Sequence, residues 1–401
     1  MRGSDTTVVV VGAGLVGLAT ARAVQQRLGI DDVVVLDKEA GPARHQSGRN
    51  SGVTHSGIAY APGSDKARLA VRGRTLIEAH CRERGIAHRR CGKLIVATRT
   101  AELTALDELE RRARANGVRV ERLRSDEIAR IEPHAAGLAG LHVLDTGVAD
   151  FAGVARSLAD ELADAGGALL TGHRVDDITV EREIVRVETS GGTVRAEWLV
   201  NCAGLQSDRI AAMCGARSDV HIVPFRGDYL DVLPPAADLV RALIYPVPDV
   251  RWPFLGVHLT RSIDGTVHAG PTAVLALGRE AYDRRPVGRD AIELLRDRAL
   301  WRLARRYWRT GLAEAVRSRS TTRVADELRR MVPDLDTPSL QPATPGIRAQ
   351  ALRSNGQLVD DFEFATSARC VHVLNAPSPA ATASLAIAEV VADRLAAAQR
   401  G

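Results

Sequence analysis

Gly12-Ala13-Gly14-Leu15-Val16-Gly17 is the stretch on which the reading of this chain turns. Upstream of it, Thr6 to Val11 is a short β-branched run of the kind that forms a buried parallel strand. Downstream, Leu15 to Leu28 reads as a helix, and a second apolar run, Val33 to Leu36, ends at Asp37. Strand, glycine turn, helix and strand make a βαβ unit. In such a unit Gly12 permits the tight turn, Gly14 lets the backbone approach a pyrophosphate, and Gly17 lets the helix pack closely on the sheet. The helix N-terminus adds amide donors and a positive dipole. Asp37, with Lys38 beside it, lies at the usual spacing of about twenty residues for an acid that accepts from ribose hydroxyls. The pattern predicts a dinucleotide site and leaves FAD and NAD open.

The segment from Gly41 to Gly63 is too long for a plain connector, which points to a functional loop. Its centre, Ser47-Gly48-Arg49-Asn50-Ser51-Gly52-Val53-Thr54-His55-Ser56-Gly57, is built largely of small residues, which let a backbone lie close to a flat ring. That favours FAD and makes Ser47, Asn50, Ser51 and Gly52 candidate cofactor contacts. Leu199 to Gly204 reads as a strand ending in a small-residue turn, which makes Ala203 and Gly204 candidate cofactor contacts, together with Val175. Asn375-Ala376-Pro377-Ser378-Pro379-Ala380-Ala381-Thr382 opens the last helix, where prolines suit the first turn. Asn375, Pro377, Ser378, Ala380, Ala381 and Thr382 are expected at the flavin's pyrimidine edge, where negative charge grows on reduction.

The rest of the chain narrows the class. A length of 401 residues, with 45% hydrophobic and 26% charged, fits two domains or one large composite fold with a full core. Net charge is only +5, and no arginine block alternates with aromatics on a recognisable module, so nucleic acid is not expected as a partner. The five cysteines are scattered, odd in number and without a CxxC pair, which predicts buried thiols and no metal site. The chain runs into its first strand without a cleavable apolar leader and has no membrane-length apolar run. The expected location is the cytoplasm, with peripheral contact at the inner face of the cell membrane left open.

Helices are expected at Lys66 to Arg84, Ala101 to Asn116 and Asp150 to Ala165, with strands at Ala168 to Val180, Ile184 to Thr189 and Val194 to Asn201. Several strands lie between His221 and Gly270, basic helices between Asp290 and Val316, and a Pro/Gly-punctuated stretch between Pro338 and Asp361. A strand at Cys370 to Leu374 and an alanine-rich helix close the chain. Strand-helix patterns at both ends around a β-rich middle predict an α/β protein. A Rossmann-like FAD-binding domain (1–82, 146–215 and 345–401) would be interleaved with an α+β substrate domain (83–145 and 216–344).

From end to end the sequence resembles the L-2-hydroxyglutarate oxidase/dehydrogenase family of the D-amino-acid-oxidase-like superfamily. The resemblance rests on Asn50 to Gly57, Cys91-Gly92-Lys93-Leu94, Pro224-Phe225-Arg226-Gly227, Pro253 to Thr260, Pro345 to Ala351, Leu358-Val359-Asp360-Asp361-Phe362 and Asn375 to Thr382. Thr272 and Ala59 depart from the expected pattern. The resemblance implies FAD, and a 2-hydroxydicarboxylate oxidised to the 2-oxo acid with electrons passed to a quinone or to oxygen. Hydride loss from C2 calls for a base near the hydroxyl, and His55 and His258 are the candidates. Carboxylates call for cations, so Arg226, Arg348, Arg261 and Lys93 are the candidate anchors, with Tyr245 beside them. Trp301-Arg302-Leu303-Ala304-Arg305-Arg306-Tyr307-Trp308-Arg309 mixes arginine with aromatics on an expected helix, a composition suited to an anionic membrane surface.

Overall fold

The computed structural model describes residues 4–248, 256–283, 285 and 288–400. Pro253, Phe254 and Leu255 of the matched stretches fall outside them. The strand Ser4–Val11 is central to an eight-stranded sheet. It pairs in parallel with Val33–Leu36 on one side and Gly192–Asn201 on the other. Ala168–Leu170 and Cys370–Asn375 extend the parallel part outward. Val8 and Val10 pack into one core and Val9 and Val11 into another. A strand buried on both faces reads as an unbroken apolar run, as this one does.

The first helix, Leu15–Leu28, ends where Gly29 takes a left-handed conformation (φ 68°). It packs on the sheet beside Phe151–Asp164 and the closing helix, Ala380–Arg400. Asp150 caps the second of these by accepting from Gly153 N–H at 2.8 Å.

A second eight-stranded sheet carries the rest of the site. Its middle strands are Val267–Gly270, His258–Arg261, Leu243–Pro246, Lys93–Ala97 and Ala139–Val143, in that spatial order. Alternate residues feed two cores: Leu94, Val96, Ile244 and Leu259 on one face, Ile95, Leu141 and Tyr245 on the other. An antiparallel ribbon of Val220–Gly227 and Gly346–Arg353 runs beside these sheets.

Two sequence expectations need correction. The run Ala168 to Val180 is two strands, broken at Gly172 (φ 70°). Its first part joins Val33–Leu36 and its second begins an antiparallel meander with Val185–Thr189. The punctuated stretch Pro338 to Asp361 contains the eight-residue strand Gly346–Arg353. Its prolines lie outside the strand, where they do not interrupt the ladder.

The helix Asp65–Glu83 crosses the closing helix at Gly73. A Cβ there would lie 2.5 Å from Ala383 Cα and 2.5 Å from the Thr382 carbonyl oxygen. Both are backbone atoms and cannot swing aside. Gly73→Ala should therefore destabilise the protein by about 1–3 kcal/mol or more, read as a lowered urea midpoint. An unchanged midpoint would mean that the two helices do not need this approach.

Candidate active site

The glycine turn is shaped by close approach. A Cβ on Gly12 (φ 109°) would lie 2.5 Å from the Cys202 carbonyl oxygen, and one on Gly17 only 1.9 Å from that of Gly12. Gly14 faces Ser47 Oγ, which accepts from Leu15 N–H at 2.9 Å. Ala43 N–H bonds the Ala13 carbonyl at 3.0 Å, so the long loop is seated against the first helix's N-terminus. Asp37 accepts from Ala13 N–H at 2.7 Å and Glu39 N–H at 2.9 Å, which braces the turn from the end of the second strand.

A cavity of about 1770 Å³ begins here. That exceeds the roughly 300–1,000 Å³ of a drug-sized pocket and gives room for a dinucleotide with a small substrate. Gly12, Gly14, Asp37, Lys38, Ser47, Asn50, Ser51, Val175, Ala203, Gly204, Pro377, Ser378, Ala380 and Ala381 line it. The small residues, the helix N-terminus facing the cavity and the acid at the strand end fit FAD.

Other expected contacts work from behind the wall. Gly17 serves the turn. Gly52 (φ 69°) lies in the loop's bend and donates N–H to Asn50 Oδ1 at 2.8 Å. Thr382 is fully buried; its hydroxyl accepts from His55 N–H at 3.0 Å and donates to the Val53 carbonyl at 3.3 Å. It thereby ties the histidine's strand to the closing helix. Asn375 is turned away from the cavity. Its amide donates to the Val359 and Asp361 carbonyls at 3.1 and 2.7 Å, bracing the segment before the last strands.

At the other end of the cavity the second sheet contributes Lys93, Tyr245 and His258 from one face. The His258 ring stacks on Tyr245 with centroids 3.8 Å apart, and Lys93 Nζ lies 4.8 Å from the same ring centroid. His258 is 4% exposed, and its Nδ1 lies 2.8 Å from the Gly256 carbonyl. A carbonyl only accepts, so Nδ1 carries the proton and Nε2 keeps its lone pair. His55 and Arg348 line the same region, and Arg348 donates a hydrogen bond to the Tyr229 hydroxyl oxygen.

Electrostatics bind this group together. Burial, helped by the charges of Arg348 and Lys93, holds His258 down at about 3 against the Gly256 bond, which raises it. Burial, then Lys93, His258 and Arg348, puts His55 at about 3 as well. Burial alone lowers Lys93 to about 8. Among the described residues no carboxylate pairs with Lys93.

Two candidate anchors are elsewhere. Arg226 Nε donates to Asp228 at 2.6 Å, and its Nη1 donates to the Tyr282 carbonyl, so it pins a loop. Arg261 gives all three nitrogens to the carbonyls of Val240, Gly265 and Ala237. It lies an odd number of residues from His258 in one strand, which sends it to the opposite face. Of the two departures from the family pattern, Ala59 lines the cavity, whereas Thr272 Oγ1 accepts from Asp228 N–H behind it.

Sequence reasoning missed Tyr60 and Tyr229. Tyr60 is bonded to Ser378, and burial pushes its phenol up. Of five tyrosines in the whole chain, Tyr60, Tyr229, Tyr245 and Tyr307 line this cavity, so their rarity was a usable signal. Cys214, Cys370 and His372 also come together, all buried, with ligand atoms within 4.8 Å. The His372 nitrogens already face Asn201 and Ser367.

A profile described as "FAD dependent oxidoreductase" matches residues 7–394. An L-2-hydroxyglutarate dehydrogenase of Indibacter alkaliphilus is 41% identical over 97% of this chain and 98% of its own. The mitochondrial L-2-hydroxyglutarate dehydrogenase of Homo sapiens is 40% identical over 98% and 89%. Among solved structures, an FAD-bound L-alpha-glycerophosphate oxidase from Mycoplasma pneumoniae superposes with a TM-score of 0.78 at 22% identity, covering 98% of this chain and 94% of that one. Glycine oxidase from Geobacillus kaustophilus gives 0.72 at 19%, over 98% and 95%. At such identities these two show the fold.

The depressed His258 makes a stability prediction. Its folded value of about 3 lies below the usual 6.5. Between those values the unfolded chain binds a proton that the folded one does not, so stability falls as pH drops through that window. From pH 7 to pH 5 this group costs about 2 kcal/mol. His258→Gln should lose about that much less than the wild type over the same interval in urea unfolding. Equal losses would mean that His258 is freely protonated in the fold.

Proposed function

The chain belongs to the FAD dependent oxidoreductase family, among the L-2-hydroxyglutarate dehydrogenases, and we propose that with FAD as its cofactor it oxidises L-2-hydroxyglutarate to 2-oxoglutarate. The observation that carries this reading is the group His55, His258, Lys93 and Arg348 at one end of the cavity that begins at the glycine turn. When bound, FAD supplies the hydride acceptor. Lys93 and Arg348 hold the two carboxylates, Lys93 as a point charge and Arg348 through its planar fork. Asp37 accepts from the ribose. The neutral His258 Nε2 takes the hydroxyl proton as the C2 hydride leaves. Burial is the main cause that holds both histidines down, with the cations adding to it. A dianion between the cations cancels their part and favours the imidazolium, which raises the base when substrate is present. Tyr245, stacked on His258, keeps the ring from turning and excludes water.

Anaerobic mixing tests this. L-2-hydroxyglutarate should bleach the flavin absorbance and the D-enantiomer should not. His258→Gln should slow bleaching by about a hundredfold or more, and Lys93→Met should raise KM for the dicarboxylate by about tenfold or more. Bleaching by neither enantiomer sinks the substrate assignment. If His55→Gln is the slow variant and His258→Gln is not, the base is His55.

We further propose that electrons leave at an anionic membrane surface, to a quinone in preference to oxygen. The helices Gly288–Arg296 and Arg298–Arg317 expose Ile292, Leu295, Trp301, Trp308, Leu312 and Val316, while Leu300 and Leu303 anchor the inner side. Arg302, Arg305, Arg306 and Arg309 are exposed on the same helix pair. Apolar side chains ringed by guanidinium suit lipid headgroups. Arg306 and Tyr307, at the kink of the second helix, line the cavity, so the route to the flavin opens beside this face. No described helix is long and apolar enough to cross a membrane. The protein should pellet with anionic vesicles at low salt, less at high salt, and not at all with Trp301, Trp308 and Leu312 changed to Ser. Wild-type protein that stays in the supernatant at low salt would rule the docking face out.

A further inference from the structure

The short segment 279–282 reaches across from the middle of the chain and touches three separate parts of the dinucleotide end of the cavity. Glu280 pairs with Lys38 at 3.0 Å, just past the second strand, and accepts from Gln206 at 3.3 Å, just past Ala203 and Gly204. The Tyr282 hydroxyl lies 2.8 Å from His45 Nδ1, and the Arg49 guanidinium lies 4.1 Å from the Tyr282 ring centroid. The segment is itself held firmly. Arg279 is 8% exposed and donates to the Leu205 carbonyl at 2.6 Å and to both oxygens of Asp208. Arg226 holds the Tyr282 carbonyl from the other side. It is a strap, and its two fastenings are buried or half-buried arginines.

Arg49 is the group that the strap positions. It lines the cavity two residues past Ser47, whose Oγ sits at the N-terminus of the first helix. Its Nε donates to the Arg44 carbonyl at 3.3 Å, and among the described residues its terminal nitrogens carry no hydrogen bond. A flat guanidinium laid on an aromatic ring keeps its edge donors free for an anion. The anion expected at that helix N-terminus is a diphosphate.

We propose that Arg49, held over the Tyr282 ring, binds the diphosphate of the dinucleotide, so that the strap 279–282 governs how slowly the cofactor leaves. The proposal rests on the FAD reading above and adds to it a residue and a closing segment that the glycine turn does not require. The phosphate contacts of the turn are backbone amides, which no side-chain change removes. Arg49 supplies a charge, and that charge is set in place by a different part of the chain.

The test is release of FAD from the purified holoenzyme on dilution, followed by recovery of flavin fluorescence at several ionic strengths. Arg49→Met should speed release by about tenfold or more, the size of one lost charge-assisted hydrogen bond. It should also flatten the dependence of release on salt, because a screened charge has been removed. Arg49→Lys should restore the salt dependence while leaving release faster than in the wild type. Tyr282→Phe, which keeps the ring and loses the bond to His45, should be intermediate, and Tyr282→Leu should resemble Arg49→Met. A general loosening of the fold would speed release without changing its salt dependence. Release from Arg49→Met within about twofold of the wild type, or an unchanged salt dependence, overturns the proposal. Wild-type protein that carries no flavin overturns it together with the reading on which it rests.

Discussion

The exclusion of water around a buried lysine and two histidines governs one end of the cavity. Lys93 is buried with no described carboxylate beside it, and the loss of solvent brings it down to about 8. Burial, with the charges of Lys93 and Arg348 adding to it, holds the two neighbouring histidines well below their usual value. Buried charges are costly unless paired. In the proposed reading a dicarboxylate removes that cost on binding, beside two neutral imidazoles. In that reading substrate affinity and proton abstraction follow from one electrostatic arrangement.

That arrangement exists because two sheets meet with a loop between them. The parallel sheet presents its glycine turn and the start of the closing helix, and the second sheet presents Lys93, Tyr245 and His258. The long loop joins them: Ser47 sits on the first helix at one end, and the His55 amide is bonded to Thr382 at the other. Gly73 lets two helices close up behind Thr382. The segment 279–282 packs against the glycine-turn end of the cavity through Lys38, Gln206, His45 and Arg49. Arg226 and Arg279 hold that segment at its two ends, Arg226 by donating to the Tyr282 carbonyl and Arg279 by donating to the Leu205 carbonyl.

The turn Gly12 to Gly17, the first helix and the acid Asp37 were readable because their geometry is short-range. A tight turn that brings Gly17 within reach of the Gly12 carbonyl admits only glycine, so the residue types themselves report the backbone. The small-residue loop and the helix start at Ala380 were readable for the same reason. Arg226 and Arg348 looked equivalent, each inside a family-like stretch. They lie on paired strands, but Arg226 stands opposite Ile347 and Arg348 opposite Phe225, so the two side chains leave the ribbon on opposite faces. Only Arg348 lines the cavity.

Local order along the chain therefore specified the cofactor class, the βαβ unit and the residue types that a hydroxy-acid site needs. Which of those residues share a site was set by strand register across as many as about 165 positions, as between Lys93, Tyr245 and His258. Their ionisation was set by how much water the closed fold removes. Neither register nor desolvation is a property of a short window of sequence: one is a relation between distant strands, and the other belongs to the packed volume around a group.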